Sequence, residues 1–435
     1  MTNNTPISIF WFRRDLRLQD NAGLYHALKS GYPVLPIFIF DKAILSKLEN
    51  RSDARVQFIH DTLSQINKDL STWNTTLIVS HGEVLEVFEK ITAAYDVKEV
   101  YANHDYEPYA LSRDKDVTAC LLTKNILFHT FKDQVIFEKG EVVSDTGNPY
   151  KVYTPYKNKW LQKLNDFYLK SYPVEKYVHN FFKSSTALLP SLEDIGFLPS
   201  AIQIPTHHIK EDLLKEYDLR RNFPEQEATS LLGVHLRFGT VSVRAMARVA
   251  KAINAVWLSE FIWREFFMQL MYHFPYVQNQ PFNKRFSKFP WRHHEQDFEK
   301  WCSGNTGYPL VDAGMRELNA TGLMHNRVRM VVASFLTKHL LIDWQWGEAY
   351  FATRLLDFDL AANNGNWQWS AGTGADAQPF FRIFNPTLQQ ERFDSKMVYI
   401  KKWVVEYGTF NYVAPMVDHK FATERAKLAF KNISE

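Results

Sequence analysis

Apolar positions recur with two different periods along this chain, and the change of period divides it. Up to residue 130, short apolar runs alternate with stretches of helical period. That alternation predicts strands and helices in turn, and hence an α/β domain with a doubly wound parallel sheet. Strands are predicted at 7–12, 34–40, 76–79, 99–102 and 127–131. Helices are predicted at 21–29, 55–70 and 83–95, with a charged helix before the last strand. The run 34–40 is apolar throughout, so both its faces should be buried. Between 131 and 210 the pattern loosens around Gly140, Gly147, Pro149, Pro173, Pro190 and Pro205, which predicts a long interdomain connector. From 211 to 435 no strand is predicted, and helical period dominates an all-helical domain. Its helices are expected at 211–217, 256–274, 308–319, 325–342, 348–355 and 418–431. The 256–274 segment is apolar almost all round, as a buried helix would be. Pro309 just inside one start and Gly322 just past the same helix's end fit the usual asymmetry of helix termini.

Polar residues inside this apolar background mark candidate chemistry. Asp357-Phe-Asp-Leu-Ala-Ala-Asn-Asn-Gly-Asn-Trp-Gln-Trp369 sets two acids and two amides ahead of two indoles. Asn364-Gly365-Asn366 is expected to form a sharp turn, which would bring the acids, amides and tryptophans to one spot. Glu260 is a lone acid on an apolar helix, with Trp263 at i+3 on the same face. Burial there should raise its pKa unless a partner offsets it, and a structural ion pair with Arg264 or Arg329 is the plainer reading. Asn326, Arg329 and Met330 stand at i, i+3 and i+4, so they should project together while Arg327 points elsewhere. Phe12-Arg-Arg-Asp-Leu-Arg17, taken alone, reads as a solvated loop beyond a strand end.

Composition adjusts this picture at a few points. Aromatic residues make up 15% of the 435 positions, which suits a flat, conjugated ligand as well as a core. A net charge of +3 gives no global basic field, so any nucleic-acid surface has to be local. Lys284, Arg285, Lys288 and Arg292 form one basic run interleaved with aromatics. Two cysteines without a Cys-x-x-Cys pattern exclude a disulfide framework and a cysteine-ligated cluster, and no metal is implied. The first residues lack the basic and apolar regions of a signal peptide, and no apolar run is long enough to span a membrane. A soluble, cytoplasmic protein is expected. No Gly-x-Gly-x-x-Gly follows the first strand, so the common dinucleotide fingerprint is missing.

Several motifs together resemble the photolyase/cryptochrome family: Gly307-Tyr-Pro, Val311-Asp-Ala, Met324-His-Asn-Arg-Val-Arg-Met330, Asp359-Leu-Ala-Ala-Asn-Asn-Gly-Asn-Trp-Gln-Trp369 and Arg382-Ile-Phe-Asn-Pro-Thr387. More narrowly they are similar to microbial class I cyclobutane pyrimidine dimer photolyases, from Phe10 to about Trp403. The resemblance implies light-driven repair of such dimers in DNA by a monomer holding reduced FAD. An antenna chromophore of folate or deazaflavin type is common in the family, and its identity is left open. By the same resemblance, Glu260, Trp263, Asn326, Met330 and Trp369 line the pocket for the flipped-out lesion. Tyr217, Thr229, Ser230, Leu231, Arg329, Asp357, Asp359 and Asn363 would hold the flavin, although Gly233 stands where a serine is commoner. Trp367, Trp344 and Trp291 would relay electrons from the surface inward. Arg221, Arg264, Arg327 and Arg382 would face the damaged strand, and the 151–159 segment resembles a family segment at the domain junction. A signalling cryptochrome and a (6-4) photolyase are the alternatives. Asn363, the missing pair of pocket histidines and the lack of a long C-terminal tail weigh against them.

Overall fold

Five parallel strands lie side by side in the computed structural model, which describes residues 3–434. They are β1 (Asn3–Phe12), β2 (Val34–Asp41), β3 (Ile78–Gly82), β4 (Tyr95–Asn103) and β5 (Leu127–Phe131), in the order β3-β2-β1-β4-β5. Successive side chains of β1 point to opposite faces. Phe10 and Phe12 join one core with Phe38, Phe40 and Leu24. Ile7, Ile9 and Trp11 join the other with Leu35, Ile37 and Phe88. All eight residues of β2 are buried, as its apolar run requires. β3 starts at Ile78 rather than 76. Asn67 Oδ1 accepts from the Leu77 amide (2.9 Å), which takes that donor from the ladder, and also from the Thr76 hydroxyl (3.1 Å).

The arginine-rich segment after β1 is not a solvated loop. Arg13 donates to Asp114 at 2.5 and 2.7 Å, and its side chain is 6% exposed. Arg17 donates to both oxygens of Asp133 (2.9 and 2.7 Å), and Arg244 reaches Asp133 at 2.8 Å and Asp20 at 3.0 Å. Burial works to raise the Asp133 pKa, but the two guanidiniums outweigh it and hold the carboxyl below its ordinary value. Ion pairs this deep are tolerated only when every charge is met, and here each one is.

That network redraws the expected boundaries. Arg244 belongs to the Val243–Ile253 helix, so this helix joins the sheet. One compact unit comprises Met1–Glu141, Gln162–His207 and Leu232–Ala252; the other comprises Val142–Leu161, His208–Leu231 and Ile253–Glu435. The expected connector at 131–210 is therefore shared between the two units rather than standing apart.

The second unit is helical, and its strand-like features among the described residues are the isolated bridges Val143–Pro149 and Arg292–Ile342. Its core gathers Trp301, Leu310, Val328, Val332, Phe335, Trp344, Phe351 and Trp367. Two expectations fail here. The 325–342 helix is broken into Asn326–Ser334 and a π-turn, Phe335–His339, before Leu341 turns into the left-handed region at φ 51°. Arg425 and Arg292 donate to the carbonyls of His339 (2.5 Å) and Leu340 (2.9 Å), which caps the broken end.

Asn364-Gly365-Asn366 is not a turn either; it lies inside the Leu360–Ala371 helix. Asp359 caps that helix by accepting from the Ala362 amide at 3.2 Å, and Gly372 (φ 81°) ends it. Gly365 serves close packing instead. A Cβ there would fall 2.1 Å from Cδ1 of Phe267. Gly365→Ala should therefore cost about 1–3 kcal/mol through overpacking, despite alanine's better helix propensity. Denaturant unfolding of the pair checks this; an unchanged or higher midpoint would show that Phe267 moves aside freely.

Candidate functional site

Glu260 and Trp263 project from the Ala255–His273 helix, whose first turn is capped by Asn254. Glu260 forms a close ion pair with Arg221, not the pair with Arg329 that the sequence allowed. Burial raises the Glu260 pKa, and Arg221 pulls against it without cancelling the effect. Asn222, the next residue, accepts from Arg327 Nη2 at 2.6 Å. Adjacent residues thus tie the helix of Glu260 and Trp263 to the helix of Asn326 and Met330.

Arg327 does not point away from Met330. Its Nη1 lies 3.7 Å from the Met330 sulfur, and its guanidinium sits 4.4 Å over the Phe393 ring. Burial and the charges of Arg221 and Arg392 press its pKa downward. Asn326 is exposed in the first helical turn, behind a cap in which His325 Nδ1 accepts from the Arg327 amide at 3.1 Å. Burial and the neighbouring arginines push the His325 pKa down to about 4, so this imidazole is neutral at pH 7. Arg329 takes the opposite direction and pairs with Asp357 at 3.0 and 3.2 Å.

Trp263 is half-buried and stacks face to face on Tyr153, with ring centroids 3.4 Å apart and planes 6° from parallel. Phe267 covers the cluster at 5.6 Å from Trp263. Tyr153 was not singled out in the sequence, although it falls within the 151–159 segment. Trp369 is half-buried in the last turn of its helix. Arg264 is half-buried on the helix of Glu260, and Arg382 is exposed. Of the basic run, Lys284, Arg285 and Lys288 are exposed, whereas Arg292 is committed to Asp297 and the Leu340 carbonyl.

A second group of polar residues surrounds Asn363. Its Nδ2 donates to the Glu348 carbonyl at 3.1 Å, and Asn364 Nδ2 donates to the Glu348 carboxyl at 3.0 Å. Burial pushes the Glu348 pKa up to about 7, so this acid, overlooked in the sequence, is half-protonated near neutrality. Asp359 and Tyr217 are buried, and Arg221 sits 5.7 Å over the Tyr217 ring. Thr229 and Ser230 engage no hydrogen-bond partner among the described residues, and the next residue, Leu231, is held at φ 51°. Unengaged hydroxyls and amides beside a strained backbone fit an anionic group such as a flavin pyrophosphate.

Trp367 is 2% exposed and wedged against Gly347, where a Cβ would fall 2.2 Å from the indole. Trp344 is buried in the same core, and half-buried Trp291 packs at its edge beside Phe289 (4.2 Å). Trp301, which the sequence reading passed over, lies 6.1 Å from Trp367.

In the sheet unit, the switch in strand order lies between β1 and β4, the place where such folds hold nucleotides. The first amides of the Ala22–Leu28 helix are already taken: Ala22 donates to Asp133 (3.1 Å), Gly23 to Asn103 (2.8 Å) and Leu24 to Asn21 (3.1 Å). The Asp133 carboxylate, itself held by Arg17 and Arg244, is the acceptor for the first of these amides. Among the described residues no helix is long and apolar enough to cross a membrane, and no cluster of side chains could hold a metal.

The chain is similar to known proteins over nearly its whole length. Residues 257–411 match the FAD binding domain of DNA photolyase, and residues 8–176 match DNA photolyase. The deoxyribodipyrimidine photo-lyase of Synechococcus is 35% identical, over 98% of this chain and 96% of the relative. That of Escherichia coli is 34% identical, over 97% and 98%. A bacterial class III photolyase from Agrobacterium tumefaciens superposes with a TM-score of 0.88 at 33% identity, covering 100% of this chain and 99% of that one. An archaeal photolyase from Sulfolobus tokodaii, solved with two FAD molecules, gives 0.83 at 32% identity over 98% and 99%.

Proposed function

Because the chain belongs to the DNA photolyase family, we propose that it repairs cyclobutane pyrimidine dimers in DNA by light-driven electron transfer, with FAD as its cofactor. One observation carries the reading to this chain's own residues. Arg221 and Asn222, adjacent in sequence, hold Glu260 and Arg327, and so bring the pocket residues of two helices together.

In this reading Glu260 hydrogen-bonds the polar edge of the flipped lesion, and its raised pKa lets it keep or give a proton there. Arg221 orients the carboxyl. Trp263 and Trp369 supply aromatic walls, and Met330 fills beside the joined pyrimidines. Arg329 and Asp357, paired to each other, would lie against the flavin ring, with Asp359 near its polar edge and Asn363 facing its reactive nitrogen. Tyr217, Thr229, Ser230 and Leu231 would receive the rest of the cofactor. Bound and reduced, FAD supplies light absorption and the electron; the protein supplies orientation and a dry, charged surround.

The DNA surface is tested by salt. Affinity for a dimer-containing duplex should fall steeply as salt rises, and Arg382→Ala should flatten the log–log slope by about 0.9, one phosphate contact. Arg327→Ala should do the same and also weaken binding at fixed salt, because its guanidinium packs on Met330 and Phe393. Salt-independent binding would place the DNA elsewhere.

A further inference from the structure

The two tryptophan walls are strapped to one loop, and that loop is anchored by a residue outside every motif considered above. The Asp376 carboxylate accepts from the Tyr153 amide at 3.0 Å, at the first residue of the Tyr153–Lys163 helix. It is an N-cap supplied from 223 residues away in sequence. The Tyr153 ring then lies flat on Trp263 at 3.4 Å, and its hydroxyl donates to the Ser259 carbonyl at 3.1 Å. Two residues beyond Asp376, the Gln378 amide donates to the Trp369 carbonyl at 3.3 Å. Asp376 itself is exposed and held in the left-handed region, at φ 49°.

Full overlap of two aromatic faces is not what ring quadrupoles favour; offset or edge-on packing is. The Tyr153–Trp263 stack therefore exists because Tyr153 is pinned, at its amide by Asp376 and at its hydroxyl by Ser259. The left-handed backbone at a non-glycine residue costs free energy as well, and the cap repays it. Both pins fix a ring whose other contacts are Phe266 and Trp263.

We propose that Asp376 and Tyr153 are positioning residues that set the place of Trp263, and with Gln378 its spacing from Trp369, for a pyrimidine dimer. The proposal rests on the reading of Trp263 as a pocket wall. It makes the 372–379 loop, rather than the wall's own helix, the element that decides how well the lesion is gripped.

The test uses the flavin-loaded protein and a duplex carrying one defined dimer. Tyr153→Leu removes the stack, and Asp376→Gly removes the cap while relieving the backbone. Tyr153→Phe keeps the ring, and Asp376→Asn keeps both an acceptor oxygen and tolerance of the left-handed region. Affinity and repair per absorbed photon at saturating duplex are measured for each, with Trp263→Ala in parallel. Tyr153→Leu and Asp376→Gly should each weaken affinity about tenfold, the scale of one base–aromatic stack, with the saturated yield unchanged. Tyr153→Phe and Asp376→Asn should restore most of it. If Trp263→Ala weakens binding but Tyr153→Leu and Asp376→Gly bind like the parent, the positioning role fails and the pocket stands. If Trp263→Ala also binds like the parent, the pocket reading falls and takes the proposal with it. Loss of bound flavin in both Tyr153→Leu and Asp376→Gly would likewise overturn it, since the pair would then be holding the fold.

Discussion

Trp367→Phe should nearly abolish photoreduction of the oxidised flavin under blue light with an external reductant. Trp367 is the innermost of the three tryptophans proposed as a relay, and it is buried at 2% exposure, so an electron from outside has to pass through neighbouring oxidisable rings. Phenylalanine keeps the hydrophobic contact with Phe351 and Gly347 but is far harder to oxidise. The fold should survive: removing part of an indole from this core costs about 1–2 kcal/mol, well short of the loss from full truncation. Flavin content and the melting curve serve as controls. Repair by chemically pre-reduced protein should persist, because the relay acts before the repair step. Unchanged photoreduction in Trp367→Phe, with flavin fully bound, would remove the relay from the account. Trp301, at 6.1 Å from Trp367, would be the next ring to replace.

Glu260→Ala should lower the yield of repair per absorbed photon more than it lowers binding. A half-buried acid with a raised pKa, aimed at a base edge, acts most where charge develops on the lesion. The variant also leaves Arg221 without its carboxylate, so Glu260→Gln, which keeps the shape and an acceptor, should fall between it and the parent. Trp263→Ala should behave in the opposite way. It should weaken affinity about 10- to 100-fold, with less effect on yield at saturation. The ratio of binding loss to yield loss in the two variants is the quantity to measure. Equal losses in both would mean that the acid and the wall do not divide binding from chemistry.

The sheet was legible because its signal is local. The unbroken apolar run of β2 is short and β-branched enough to be a strand buried on both faces, and its alternation with helical stretches on either side points to a parallel sheet. The arginines after β1 were misread for the converse reason: Asp114, Asp133 and Arg244, which make them interior residues, lie roughly a hundred or more positions away in sequence. Gly365 looked like a turn because glycine between asparagines usually is one. Only the Phe267 ring at van der Waals contact explains why a helix needs glycine there. Helical spacing placed Asn326, Arg329 and Met330 on one side, but it could not say that Arg327 would be drawn to Asn222 and Arg329 to Asp357. Tyr153 stood in a segment that the sequence marked only as a whole, and nothing in the sequence gave Asp376 or Glu348 a role. A tyrosine, a loop acid and a helical glutamate are ordinary until their partners are known.

Splitting of a defined lesion in light tests the central claim most directly. Reduced, flavin-loaded protein is mixed without oxygen with DNA carrying cyclobutane dimers, or with DNA carrying (6-4) products, illuminated in the near-ultraviolet to blue, and restored pyrimidines are counted. Restoration of the cyclobutane dimers alone is the expected result, dependent on light and lost in the dark. Restoration of neither lesion by protein that holds reduced FAD would contradict it, and so would restoration of the (6-4) products instead.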